Sequence, residues 1–139
     1  MADFRFVTDD FAVSPQISAA DVGVAAARGF TLIVNNRPDG EAPGQPTGAS
    51  VEAAARDAGL DYIHIPIAGR PSAEQVEAMR AAVDGATGKA LAYCRSGTRS
   101  IVAWALGQAA SGAMGASELM RLGAAAGYDL SGALSNKRT

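Results

Sequence analysis

The chain has 139 residues, 48% of them hydrophobic, with 12 Lys and Arg against 14 Asp and Glu and a formal net charge of −2. That is enough chain for one well-buried domain of ordinary globular composition. Basic residues form no block and no apolar run approaches the ~18 residues of a membrane-spanning helix, so nucleic-acid and membrane partners lack their signatures. The N-terminus has no leader pattern, and one cysteine with one histidine rules out an internal disulfide and argues against a metal cluster. These features predict a soluble, cytoplasmic protein without metal or cofactor, its one thiol free, exposed and open to oxidation.

From the N-terminus, Phe4, Phe6 and Val7, then Phe11, Val13 and Ile17, read as short strands around an Asp9-Asp10 turn. Ser18-Ala-Ala-Asp21 has the form of a capping box and predicts a helix running to Arg28 and stopping at Gly29. The run Thr31-Leu-Ile-Val34 predicts a buried strand. Residues 35–49, rich in Asn, Pro and Gly, form the longest loop, and helix signals return over 50–58. The next strand spans 62–67, with Pro66 and Pro71 flanking a turn. Ser72-Ala-Glu-Gln75 caps a third helix that places Val76, Met79 and Val83 on one face. A strand over 89–93 leads through Cys94 into a helix over 100–111. The tail from 116 to 134 reads as helical, rich in small residues that permit close packing.

Strand alternating with helix predicts an α/β fold: a single three-layer domain over 1–139, with a mainly parallel central sheet flanked by helices. Ligands in such folds lie at the carboxyl ends of the strands. Both the Cys94 loop and the 35–48 loop leave the sheet at that end.

The chemistry concentrates in Tyr93-Cys-Arg-Ser-Gly-Thr-Arg-Ser100. A thiol at a strand end, on a Gly-containing turn into a helix, meets free backbone N–H groups and the cations Arg95 and Arg99. That field favours a thiolate, and the same donors suit an anion facing it. Cys94 is therefore the candidate nucleophile. Arg99 can clamp two oxygens of an anion in its planar fork, and Gly97 lets successive N–H groups converge. Arg95, Ser96, Thr98 and Ser100 complete the candidate substrate cradle. A lone cysteine is more often a buried structural residue, but the polar, cationic context of this one tips the reading.

Neighbouring residues carry paired readings. The Ser100 hydroxyl either supports the thiolate or serves the helix start. Asp39 is the first candidate for a general acid and Glu41 the second, although Asp39-Gly also suits a turn on its own. Arg37 is a second cation at the pocket or a solvated one. His64 reads as a satisfied structural histidine, Trp104 as core, and Met79, Met114 and Met120 as core fillers.

In its order of strand, cysteine loop, arginine and helix, the chain resembles the protein tyrosine phosphatase and rhodanese groups of cysteine enzymes. More specifically, Asn35-Asn-Arg-Pro-Asp-Gly-Glu41, Gln45-Pro46, His64-Ile-Pro66 and Tyr93-Cys-Arg-Ser-Gly-Thr-Arg-Ser100 resemble the bacterial beta-lactamase-hydrolase-like, phosphatase-like domain family. The resemblance covers residues 4 to 110. It implies a protein-tyrosine-phosphatase-like fold and an activity that is either phosphatase or sulfur transferase. Related domains occur fused to metallo-hydrolase-type domains, which implies a sulfur-oxidising partner enzyme.

Three features depart from the phosphatase pattern. Four residues separate Cys94 from Arg99, where phosphatases of this type place five; Tyr93 stands where many have His; and Ala68-Gly69 occupies the turn that often carries their acid. Losing that acid costs phosphoester cleavage a factor of about 10² to 10⁴, whereas sulfite leaves as a stable anion. The leading expectation is therefore a rhodanese-type sulfurtransferase. Its Cys94 takes a sulfane sulfur from a thiosulfate-like donor as a persulfide and passes it to a thiol or cyanide. The alternative is a phosphatase working through a cysteinyl-phosphate, with Asp39 as acid. A third reading is a non-catalytic module that binds an anion or phosphopeptide.

Overall fold

The computed structural model describes residues 2–135. The sheet contains β1 (Arg5–Phe6), β2 (Phe11–Ser14), β3 (Phe30–Asn35), β4 (Asp61–His64) and β5 (Lys89–Tyr93) in the spatial order β1-β2-β5-β3-β4. Only β1 runs antiparallel to its neighbour; the other pairings are parallel. The helices are α1 (Ala19–Ala27), α2 (Gly48–Asp57), α3 (Ala73–Asp84), α4 (Thr98–Ser111), α5 (Ala116–Ala125) and α6 (Ser131–Ser135). Of the span 1–139 expected as one domain, Met1 and residues 136–139 lie outside the described residues. Among the described residues no helix is long and apolar enough to cross a membrane.

The two faces of the sheet follow from the period-two alternation of strand side chains. Leu91 and Tyr93 of β5 join Ala12 and Ile33 in the core beneath α1 and α2. Ala90 and Ala92 join Phe11, Val13, Leu32 and Val34 in the opposite core, beneath α3 to α6. Because both faces are covered, the strands read as continuous apolar runs, and the expected three-layer α/β architecture results. Helix α4 lies deepest: Ile101, Ala103, Trp104, Ala105 and Leu106 are all buried, and Trp104 stacks on Phe11 with ring centroids 5.1 Å apart.

Capping side chains set the starts of α1, α2 and α3. Ser18 with Asp21 and Ser72 with Gln75 form reciprocal capping boxes, as their spacing predicts. Four boundaries differ from the sequence reading. Helix α2 starts at Gly48 rather than at residue 50 because Thr47 is the cap, its side chain accepting from the Ser50 N–H. Strand β4 stops at His64 because regular register ends there: the Ile65 and Ile67 N–H groups bond the successive carbonyls of Asn35 and Asn36 at 2.8 and 3.0 Å. Helix α4 starts at Thr98, so Arg99 and Ser100 lie inside its first turn. The tail is two helices, because Gly127 at φ +97° turns the chain and the Tyr128 N–H closes on the Gly123 carbonyl at 2.8 Å.

The parallel register sets the carboxyl ends of β3 and β5 side by side, Asn35 opposite Tyr93. The Asn36 N–H donates to the Tyr93 carbonyl at 2.8 Å, so the long loop and the Cys94 loop leave the sheet from one point.

The close packing of α5 is testable at Gly123, where an added Cβ would lie 2.6 Å from Leu130 Cδ1 and 3.3 Å from the Tyr128 carbonyl oxygen. On helix propensity alone Gly123→Ala would stabilise by about 1 kcal/mol. Overpacking against the buried Leu130 reverses that sign and costs about 1–3 kcal/mol. Urea denaturation of the variant checks this, and a midpoint above wild type would contradict the packing.

Candidate active site

Cys94 follows β5 directly. It is buried, with 0% of its surface exposed, which corrects the expectation of an exposed thiol. The reason is that the loop folds back over the sulfur. Gly97, at φ +92°, aims its backbone N–H at Cys94 Sγ over 3.1 Å. A residue with a Cβ adopts that conformation only with strain. Helices α1, α2 and α3 each have a side-chain cap, whereas α4 and α5 have Gly97 and Gly115 at their N-caps and none. The positive end of the 14-residue α4 is thus left open beside the cysteine loop. Ser96 and Thr98 bond to each other, Oγ to Oγ1 at 3.0 Å, and the Arg95 side chain is exposed.

Arg99 reaches from the first turn of α4 across to the long loop. Its Nη1 and Nη2 donate to Glu41 Oε2 and Oε1 at 2.6 and 2.9 Å, and Nη1 also donates to the Ile67 carbonyl at 2.7 Å. Arg37 donates to the same carboxylate, Nε to Oε1 at 2.9 Å, and from Nη1 to Gln16 Oε1 at 3.0 Å. Arg37 is buried, 5% exposed, so it is not the solvated cation that one reading of the sequence allowed. The hydrogen bonds from Arg99, above all, bring Glu41 down to about 2; burial opposes the shift, and Arg37 adds to it. Reciprocally, the bond to Glu41 is the main cause that raises Arg99 above its ordinary value, and the nearby Cys94 sulfur adds to the rise.

Asp39, the first candidate acid, is engaged elsewhere: its Oδ1 accepts from the Gly48 N–H at 2.7 Å, at the start of α2. Gln45 decides which carboxylate faces Arg99. It donates from Nε2 to the Pro38 carbonyl at 2.9 Å and accepts from the Ala42 N–H at 3.2 Å, closing the loop so that Glu41 points inward. His64 Nε2 lies 2.9 Å from the Arg37 carbonyl, an acceptor, so this nitrogen carries the proton and the ring braces the same loop. Ser100 donates to Asn36 Oδ1 at 2.7 Å, and Asn36 Nδ2 donates to the Ile65 carbonyl at 3.0 Å. The Ser100 hydroxyl therefore clamps α4 to the loops after β3 and β4. Tyr93 lies in the α1–α2 layer, where burial pushes its hydroxyl pKa up.

The fold thus brings Cys94, Gly97, Arg99, Arg37 and Glu41 into one site and directs Asp39 to the α2 terminus. Among the described residues no His, Cys, Asp and Glu cluster suits a metal ion. Asn36, Gln16 and Tyr128 also serve the site and were missed by sequence reasoning. Asn36 and Gln16 stand near strand ends where a polar residue is a weak signal, and Tyr128 is far along the chain with none.

The thiol thus stands at the end of a central parallel strand, under a glycine turn and a helix-borne arginine, on a protein-tyrosine-phosphatase-like α/β fold. The family model described as "Beta-lactamase hydrolase-like protein, phosphatase-like domain" matches residues 3–111, and the chain belongs to that family. A similar curated relative is the beta-lactamase hydrolase-like protein of Xylella fastidiosa, 38% identical over 125 residues, which cover 89% of this chain but 29% of the relative. The chain therefore spans less than a third of that relative's length. A candidate phosphatase from Neisseria meningitidis has the same fold with a TM-score of 0.84 at 32% identity, over 95% of this chain and 94% of that one. TpbA of P. aeruginosa, solved with a Cys-to-Ser change in complex with pTyr, shares the fold at TM-score 0.63 and 14% identity, over 94% of this chain and 74% of its own. These comparisons favour the phosphatase alternative over the sulfur transfer suggested by the loop length.

The Glu41 ion pairs predict a pH dependence of stability. The folded-state pKa of about 2 lies below the ordinary value of 4.5, so the stabilisation is fully present above pH 4.5 and is lost as pH falls towards 2. Urea titrations of wild type and Glu41→Gln across that window check it. The stability difference in favour of wild type shrinks on acidification, and a difference independent of pH would contradict the ion pairs.

Proposed function

We propose that the domain is a cysteine-based phosphatase acting on phosphate monoesters. The observation that carries this reading is the convergence of the Gly97 N–H and the Arg99 fork on the Cys94 end of β5. In the free protein the two oxygens of Glu41 fill the Arg99 fork, and two oxygens of a phosphoryl group have the geometry to replace them. The Cys94 thiolate then attacks phosphorus, the bond from phosphorus to the ester oxygen breaks, and the leaving oxygen takes a proton. Water next attacks the cysteinyl-phosphate, the P–S bond breaks, and inorganic phosphate leaves as the thiolate is restored. The loop donors stabilise negative charge through both steps.

We give the proton-donor role to Glu41 ahead of Asp39. A phosphoryl group that takes Arg99 also removes the main cause of Glu41's low pKa and sets a second anion beside it. Both changes favour protonation, against the Arg37 bond that remains. Asp39 has no such coupling, since its partner is the Gly48 N–H. Sulfur transfer through a Cys94 persulfide remains the second reading, supported by the four-residue Cys94-to-Arg99 spacing and by its needing no acid.

Parallel assays of phosphate release from phenyl phosphate and of thiocyanate formation from thiosulfate and cyanide test the choice. Wild type releases phosphate and Cys94→Ser releases none. Glu41→Gln loses a factor of about 10² to 10⁴ on phenyl phosphate, and far less on 4-nitrophenyl phosphate, whose leaving group needs no proton. Thiocyanate formation without phosphate release would transfer the assignment to sulfur transfer.

A further inference from the structure

The peptide unit joining Ser96 to Gly97 is held at both ends. Its N–H, from Gly97, donates to Cys94 Sγ at 3.1 Å. Its carbonyl, from Ser96, points away from the sulfur and accepts from the Tyr128 hydroxyl at 2.8 Å. In a planar trans peptide the C=O and N–H are antiparallel, so fixing one fixes the other. The preceding carbonyl is treated alike: Arg95 O accepts from the Gln16 N–H at 3.3 Å. A flip of the Ser96–Gly97 peptide would bring a carbonyl oxygen to the sulfur and to any anion on it.

We infer that Tyr128 is a positioning residue for the nucleophile, acting through the Ser96–Gly97 peptide to keep the Gly97 N–H on Cys94. It lies beyond residues 3–111, the part of the chain that the family model matches. Three observations besides the hydrogen bond support the role. The Tyr128 ring is pinned where α5 and α6 meet, with the Arg5 guanidinium carbon 5.3 Å from its centroid and Arg5 in turn paired with Asp3 at 3.1 Å. Burial, helped by the charge of Cys94 and opposed by Arg5, raises the Tyr128 pKa, so the hydroxyl keeps its proton at neutral pH. The fit is also exclusive: a Cβ on Gly97 would lie 2.2 Å from the Tyr128 oxygen. Glycine at 97 and tyrosine at 128 thus form one device, in which the absent side chain makes room for the hydroxyl that orients the peptide.

The charged groups that act on Cys94 and Tyr128 are Arg99 from α4 and Arg5 and Asp3 from the N-terminal segment, with Glu41 behind Arg99. Tyr128→Phe leaves all of these in place, along with the ring, and removes only the donor. The test follows Cys94 alkylation by iodoacetamide at pH 6 and pH 9, at a temperature below the measured Tm of each protein. It uses no phosphoester, so its result is separate from the fate of the phosphatase reading. Loss of the oriented N–H weakens the support for negative sulfur, and the pH 6 to pH 9 rate ratio falls by about threefold to tenfold. A merely structural role would lower Tm and leave that ratio unchanged. A ratio equal to wild type, at any Tm, overturns the inference.

Discussion

A backbone loop stabilises a negative sulfur only while its N–H groups face inward and its carbonyls face out. The rest of this structure depends on that constraint. Gly97 supplies the left-handed turn, and Gln16 and Tyr128 hold two successive carbonyls away from the sulfur. The parallel β5 delivers Cys94 to the middle of the sheet's carboxyl edge. The depth of α4 has the same origin. Its first turn is locked to the β3 and β4 loops by Ser100 and Asn36, and its body is locked by Trp104 on Phe11, so its positive end cannot drift from the cysteine.

Electrostatic balance at the mouth of the site follows from that arrangement. Two arginines and a helix terminus around a buried thiol would leave a surplus of positive charge in the free protein. Glu41 neutralises much of it and accepts from both guanidinium groups. In the proposed reaction the same carboxylate competes with the substrate anion for Arg99 and, once displaced, gives the proton. Glu41 is solvent-exposed and keeps its bond to Arg37, so on losing Arg99 it is free to turn towards water. On the proposed phosphatase reading, this one residue would supply the acid that is absent at Ala68-Gly69.

Much of the fold was legible because its signals are local. Ser18, Ser72 and the apolar strand runs each declare an element within a few residues. Helix α4 was misplaced at its start because its N-cap, Gly97, has no side chain to announce it. That Cys94, Gly97 and Arg99 meet at one place was legible for the same local reason, all three falling within six residues. Which carboxylate meets Arg99 was not, because that turns on how Gln45 closes the loop over Pro38 and Ala42. Tyr128 and Asn36 act across long stretches of chain through single hydrogen bonds, which leave no period or motif behind. The burial of Cys94 was hidden too, since polar neighbours in sequence became a backbone wrap in space.

The central claim is that Cys94 attacks phosphorus. Intact-mass spectrometry of the protein, acid-quenched during turnover of an aryl phosphate, tests it most directly. The account predicts a species heavier by one phosphoryl group, absent from Cys94→Ser. A chain that gains one sulfur atom from thiosulfate but never a phosphoryl group from the ester would contradict it.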